Sequence, residues 1–572
     1  GSLGEQPGEA AEGGTHQHRR ATGGVVQLRA DVDAVGRERV PRVVLVGGPV
    51  RGPMAPLVVR DGVPPRPREC RRRAAPAVAG LAAGGVTLAP WSAQAASIPK
   101  KWDETFDVVV VGSGFAGLAA AYEAKKAGAS VVVLEKMRTP GGNSIINGGV
   151  ISAAGSPLQA KEGIQDSPEL LLKDMLTAGL HLNHPELAKM VAYQSNNTVQ
   201  WTINELGVKY KDTVSQEGGH SVPRMYSTYN QSGSAIVTQQ LAKLKELGVV
   251  PRMQCYLTQI YRDADGRVKG VQIREKYVFP NAESGKLKNI KAAKAVVIGT
   301  GGFGADVEFR MLQDPRLTAD VQTTNQPGAT SESLREALRI GCIPIQVSWI
   351  QLGPWGSPDE KGMGLSPFFA QLLGAMYGLW VDTITGKRFV NELADRKIRA
   401  DAIIKAGNKC IAFTDAAGYA LGQVLIAEAL PKLMERGVVK KYETLDEMAA
   451  AYNAPAGALK ETVEKWNKSV LAGKDEEWGR YLQKNQKPLG PGPWYALRLM
   501  PKVHHTMGGV NINVKAQAMD VMTDKPIPGL YAAGEITGGV HGAVRLGSCA
   551  ILDCLIFGRI AGQNAAAEKK WG

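Results

Sequence analysis

Three glycine-rich turns, each following a short apolar run, and one carboxylate at a set distance from the first turn are the residues best suited to chemistry in this chain. Val108–Val111 leads into Gly112-Ser113-Gly114-Phe115-Ala116-Gly117, and Glu135 stands 18 residues beyond Gly117. Each part has a mechanical reason. Gly112 permits a tight turn, Gly114 lets the backbone approach a pyrophosphate, and Gly117 allows a helix to pack closely on its strand. The start of that helix, around Ala116, favours negative phosphates. Glu135, with Lys136 beside it, is placed to accept hydrogen bonds from an adenosine ribose. A lone GxGxxG is a weak signal, but here the strand, the helix and the acid are in register.

The residues beyond the acid select the cofactor. Thr139-Pro140-Gly141-Gly142-Asn143-Ser144 offers glycine-rich backbone that can approach an isoalloxazine ring, whereas a nicotinamide domain would continue its helices. Gly299-Thr300-Gly301-Gly302-Phe303 and Gly534-Glu535-Ile536-Thr537-Gly538-Gly539 add two further turns. Any one of them could be a structural loop. Three in this order point to a long, extended cofactor, FAD.

The elements that must carry these turns are legible as alternating strand-like and helix-like segments. Asp107–Val111 and Ser130–Leu134 are β-branched runs flanking a helical apolar face at Ala116–Ala127, which makes a βαβ unit. Apolar runs at Ala295–Ile298 and Gly529–Ala533 each enter a glycine turn. Residues of about 350–499 lack such units and contain helical stretches at Leu445–Tyr452 and Leu459–Val470. The fold expected is α/β: a Rossmann-type FAD-binding domain in two parts, 101–349 and 500–572, with an inserted α+β capping domain at 350–499.

The bulk numbers narrow the function classes. A chain of 572 residues has room for two or three domains. Its net charge of +14 is spread thinly, +6 over residues 1–100 and +8 over the rest, with no dense basic stripe, so no nucleic-acid partner is expected. Six scattered cysteines include no CxxC or CxxCH; no c-type haem and no metal site are expected. No run of 18 apolar residues occurs after residue 100, so no membrane span is expected there. Residues 1–100 are rich in Arg, Gly, Pro and Ala and read as disordered. Within them Arg71-Arg72-Arg73, an apolar run to Pro90 and Ala93-Gln94-Ala95 read as an export leader of the twin-arginine type, which implies a periplasmic protein. The Phe-Leu usual after the arginines is missing.

With GSGFAGLAAA at 112, GGN at 141, GTGGF at 299, TNQPGA at 324, GKRFVNE at 386, HHTMGGV at 504 and GEITGGVHGAVRLG at 534, the sequence from Asp107 to Gly562 resembles the flavin domain of the flavocytochrome c fumarate reductases. That family also includes urocanate reductase and related enoate reductases. The resemblance implies hydride transfer from flavin N5 to one alkene carbon, with Arg396 giving a proton to its neighbour. It implies a carboxylate clamp at His504 and Arg545, the histidine as imidazolium, and His505 near the flavin. It also adds Gly148, Gly149, Ala550 and Ile551 to the cofactor contacts. Taken by residue type alone, an arginine after GKRF is more often a surface ion-pair former, and adjacent histidines are more often a satisfied core pair; the motifs reverse those odds.

The departures from the family bear on substrate. Where the fumarate reductases grip the far carboxylate with a histidine, Trp349-Ile350-Gln351-Leu352-Gly353-Pro354 presents glycine. The Thr-Glu pair and arginine relay before GKRF have no counterpart in Ala370-Gln371-Leu372-Leu373-Gly374, which leaves Asp395 or Arg399 to deliver protons. Val544, Ser548 and Cys549 also change the pocket. With Trp349, Trp355 and Tyr377 nearby, the expected substrate is an acrylate-type monocarboxylic enoate, aromatic or otherwise apolar, rather than fumarate. The histidine that anchors covalent FAD is absent near Ser144-Ile145, so noncovalent FAD is expected. Electrons would come from a separate cytochrome c or another periplasmic donor. Two alternatives stay open: a flavin dehydrogenase such as a ketosteroid desaturase, tested by a steroid screen, and a non-catalytic FAD electron-transfer subunit, whose flavin enoates would not reoxidise.

Overall fold

The structure is a computed structural model that describes residues 98–571 apart from 484 and 485; the leader expected at 71–95 lies outside the described residues. Its central sheet has seven strands. The valine-rich strand Glu104–Val111 pairs in parallel with Val131–Leu134 on one side and Lys286–Ile298 on the other, and Pro526–Ala532 pairs in parallel with Lys286–Ile298 beyond it. Asp107 to Val111 is buried throughout, as expected of a parallel strand covered on both faces. The strand begins at Glu104, earlier than its apolar run, because Lys286–Ile298 continues alongside it, with Glu104 opposite Ile290. Lys286–Ile298 itself is far longer than the apolar segment at its end. Its lysine-rich first half pairs antiparallel with Val268–Glu275 and is partly exposed, which hides it from an apolar reading.

Register decides where the site lies. Val111 aligns with Leu134 and with Ile298, and Ile298 aligns with Ala532. The four parallel strands therefore end at one level, and the turns at Gly112, Glu135, Gly299 and Gly534 emerge side by side. Ligands in open α/β sheets bind in the crevice beyond these carboxyl ends.

The helix Phe115–Lys126 starts at this edge and packs against the parallel strands and the C-terminal helix Cys549–Ala567. Gly558 and Gly562, one turn apart, make the approach possible: a Cβ at either would lie 2.5 Å from Ala116 O or 2.2 Å from Ala120 O. Residues 355–499 build two further apolar clusters on opposite faces of a four-stranded antiparallel sheet, ordered Leu379–Asp382, Cys410–Thr414, Trp494–Leu499, Lys440–Tyr442. Trp380, Ala412 and Leu497 face one cluster, and Leu379, Phe413 and Ala496 the other, the alternation a strand imposes. Helices Leu445–Ala451 and Ala456–Ala472 flank the sheet. Among the described residues no helix is long and apolar enough to cross a membrane.

Candidate active site

The crevice above the parallel strands is lined by Gly112, Gly114, Ala116, Glu135, Lys136 and Gly142, and by Thr300, Gly301 and Gly534 from the other two turns. Gly112 has φ +101°, and a Cβ there would stand 2.3 Å from Gly299 O, so only glycine brings the two turns together. Glu135 is held facing the crevice: its carboxylate accepts from Ser113 N at 3.1 Å, Ser113 Oγ at 2.6 Å and Met137 N at 2.8 Å. The helix starting at Phe115 has no acidic residue in its first turn and no side-chain cap from Gly114. Phe115 N donates to Ser144 Oγ at 3.0 Å, and the dipole with the N–H groups that follow favours phosphate oxygens. The fit to an adenosine diphosphate moiety is therefore carried by backbone shape as well as by residue type.

Asn143, Ser144 and Glu535 border both this crevice and an adjoining cavity of about 540 Å³. Gly148, His505, Ala550 and Ile551 face that cavity, which extends the glycine-rich crevice by the room an isoalloxazine ring needs. Gly117 and Gly149 border neither. A Cβ on Gly117 would meet Gly112 O at 2.0 Å, and one on Gly149 would meet Thr228 Oγ1 at 2.2 Å; both glycines allow close chain packing behind the walls.

Arg396, His504 and Arg545, far apart in sequence, line the same cavity. Arg396 opens the helix Arg396–Lys405, whose N-cap Asp395 spends its side chain on the amides of Lys397 and Ile398. His504 lies in the strand Lys502–Thr506, with Nδ1 against the Thr324 hydroxyl at 2.8 Å. Gln351, opposite His505 in the partner strand Ile350–Gly353, ties the set together. Its amide nitrogen donates to Arg545 O at 3.0 Å and its oxygen accepts from Arg396 Nη1 at 3.5 Å. The Trp355 ring lies 4.7 Å from the Arg396 guanidinium and 5.5 Å, edge-on, from the His504 ring.

Electrostatics follow from burial. Burial, with Arg396 close by, pushes Arg545 down to about 9, and its Nε has no hydrogen-bond partner. A buried, unpaired guanidinium donor is costly unless an anion completes it. Burial, then Arg545 and Arg396, hold His504 well below the usual histidine range. Burial and the two arginines thus oppose the imidazolium expected at His504 and favour it as a neutral hydrogen-bonding group. Burial likewise raises Glu535, whose Oε1 accepts from Thr506 N at 2.9 Å.

Sequence reasoning missed Glu217. Both of its carboxylate oxygens contact Arg396 Nη2, at 2.7 and 2.8 Å, across 179 residues of sequence, and the segment around Glu217 itself carries no motif. It also missed Gln351. Of the three aromatic residues singled out, Trp355 lines the cavity while Trp349 and Tyr377 do not. The cavity is also lined by the apolar residues Met363, Pro367, Phe368, Leu372, Met376 and Leu425. A π-helical segment, Phe369–Ala375, carries Leu372 and Gln371 to it. Gln371 accepts from the buried Arg399 at 2.7 Å. Gly353 stands behind His504 and Trp355, and a Cβ there would sit 3.5 Å from each, so the indole occupies the space in front of it.

Comparison with known proteins agrees with this geometry. The FAD binding domain family matches residues 107–551. The acrylate reductase flavoprotein subunit of Shewanella woodyi is 40% identical over 492 residues, 84% of this chain and 96% of that protein. The urocanate reductase of Eggerthella lenta is 33% identical over 501 residues, 85% of this chain and 79% of that one. The open conformation of a flavocytochrome c3 fumarate reductase superposes with a TM-score of 0.67 at 32% identity, covering 82% of this chain and 79% of the other. The chain thus belongs to the FAD binding domain family, within the group of the fumarate and urocanate reductases, and is an FAD-dependent oxidoreductase acting on CH–CH groups.

Proposed function

We propose that the protein reduces the carbon–carbon double bond of an α,β-unsaturated monocarboxylate whose far end is apolar. The observation that carries this reading is the make-up of one cavity: a cationic grip at Arg545 and Arg396, with Trp355 stacked on Arg396, shares it with the apolar side chains of Phe368, Leu372 and Met376. FAD, once bound, supplies a hydride. Arg545, whose Nε lacks a partner, and the neutral His504 take the substrate carboxylate. Drawing electron density toward that carboxylate polarises the alkene. Arg396, held by Glu217 and Gln351, gives a proton to the second alkene carbon. A second carboxylate would meet Trp355 and the apolar wall, where its desolvation is uncompensated. The unpaired Nε also favours a carboxylate ligand over a pocket that serves only electron transfer.

Other parts of the reading rest on the same base. FAD is held noncovalently by the crevice. Residues 350–499 act as a cap over the cavity, supported by their own apolar clusters. Electrons come from a separate cytochrome c or another periplasmic donor, in keeping with a relative named as a flavoprotein subunit, and the protein works in the periplasm after twin-arginine export, in anaerobic respiration.

A spectroscopic titration tests the grip. Saturated monocarboxylates with an aryl or alkyl tail should perturb the oxidised flavin spectrum at lower concentration than succinate does. Tighter binding of succinate than of every monocarboxylate tried would refute the reading.

A further inference from the structure

Glu217 places a carboxylate on the wall between the catalytic guanidinium and solvent, and its placement is built rather than incidental. The segment that bears it is fixed from three sides. Arg224, buried, forms ion pairs with Asp166 at 2.9 Å and Asp174 at 2.5 Å. His220 Nε2 contacts Gly547 O at 3.0 Å, and Gln216 Nε2 donates to His220 O at 2.5 Å. Gly547 leaves the space the carboxylate uses: a Cβ there would stand 2.0 Å from Glu217 Oε2 and 3.2 Å from Arg396 Nη2. The strand Tyr210–Ser215 runs up to it, and the alternate residues Lys211, Thr213 and Ser215 line the cavity. Thr213 and Ser215 are exposed. Exposed polar residues that line the cavity thus lead along the chain to Glu217.

We infer that Glu217 returns the proton that Arg396 spends in each turnover, taking it from water along the Lys211–Thr213–Ser215 edge; this rests on the reductase reading above. The proton balance is simple. Arg396 gives one proton to an alkene carbon as the other carbon receives hydride, and becomes neutral. Glu217 then no longer faces that cation, so its carboxylate becomes a stronger base and takes a proton from water. It passes that proton to Arg396 and is again a carboxylate paired with a guanidinium. Burial would raise the Glu217 carboxyl, but Arg396, Arg399 and Arg545 outweigh it and hold it below the usual range at rest. Asp395, committed to capping its helix, and Arg399, held by Gln371 and Glu392 O, are less suited to the task.

The test is Glu217→Gln in the FAD-loaded protein, which keeps a hydrogen-bond acceptor beside Arg396 but cannot relay a proton. Prereduced flavin should be reoxidised by an enoate at a first-turnover rate within about threefold of the parent, because Arg396 begins protonated. Steady-state kcat with reduced viologen should fall roughly 100-fold, in the range of acid–base groups, with KM and the spectroscopic affinity for a saturated monocarboxylate little changed. Glu217→Asp should recover part of kcat. Equal slowing of first and later turnovers, or an undiminished kcat, would overturn the inference. If Glu217→Gln fails to hold flavin, the same split is sought in Glu217→Asp, and its absence there is decisive. A parent protein that reduces no enoate refutes the underlying reading instead, so the two failures are distinguishable.

Discussion

Two guanidinium groups, Arg396 and Arg545, with the Glu217 carboxylate and the His504 imidazole make the reactive part of the cavity, and their burial sets their roles. Arg545 is pushed down to about 9 because a buried charge waits for a counter-ion. Arg545→Met should therefore raise the KM for a monocarboxylic enoate roughly 10- to 150-fold, the value of a charged hydrogen bond at about 1.5–3 kcal/mol, while flavin content stays near one per chain. Steady-state kinetics with flavin quantitation checks this. His504 should stay neutral between pH 5.5 and 8, with no imidazole titration near 6.5 by NMR, since burial and two arginines oppose its charging. Arg396, His504 and Arg545 were legible only because each sits in a recognisable motif. Glu217 and Gln351 were not, because a contact spanning 179 residues leaves no local pattern.

At the scale of elements, glycines decide which chains can touch. Gly112→Ala would place a Cβ 2.3 Å from Gly299 O at φ +101°, so the purified variant should carry less than a tenth of the parent's flavin by absorbance. Gly562→Leu would drive a side chain into the backbone at Ala120; it should lower Tm by several degrees, an overpacking cost of about 1–3 kcal/mol. The βαβ unit could be read in advance because valine runs and a GxGxxG mark it directly. The four-stranded sheet within 379–499 could not: Leu379–Asp382 and Cys410–Thr414 are buried on both faces, so no alternation of apolar and polar residues reveals them. The π-helical segment at Phe369–Ala375, which brings Leu372 to the cavity, has no sequence signal either. The apolar wall is thus assembled from pieces that look ordinary one at a time.

For the whole molecule, buried ionisable groups couple stability to pH. Burial pushes His220 down to about 4 and holds His504 and His505 well below the usual range. These rings stay neutral in the fold but bind protons in the unfolded chain below pH 6.5, so stability is full above that pH and is lost as pH falls toward 4. Glu535, raised by burial, opposes them by up to one proton. The net of about two protons predicts a loss of roughly 2–3 kcal/mol per pH unit near pH 5.5, seen as a falling Tm in thermal melts; a Tm unchanged from pH 7 to 5 would contradict this. The central claim is that one cationic grip and one apolar wall select the substrate. Its most direct test is anaerobic, stopped-flow reoxidation of the prereduced protein by a panel of enoates. An arylacrylate or other monocarboxylic enoate with an apolar tail should reoxidise the flavin with a second-order rate constant at least tenfold above that of fumarate. Faster reoxidation by fumarate than by every monocarboxylic enoate would contradict the account.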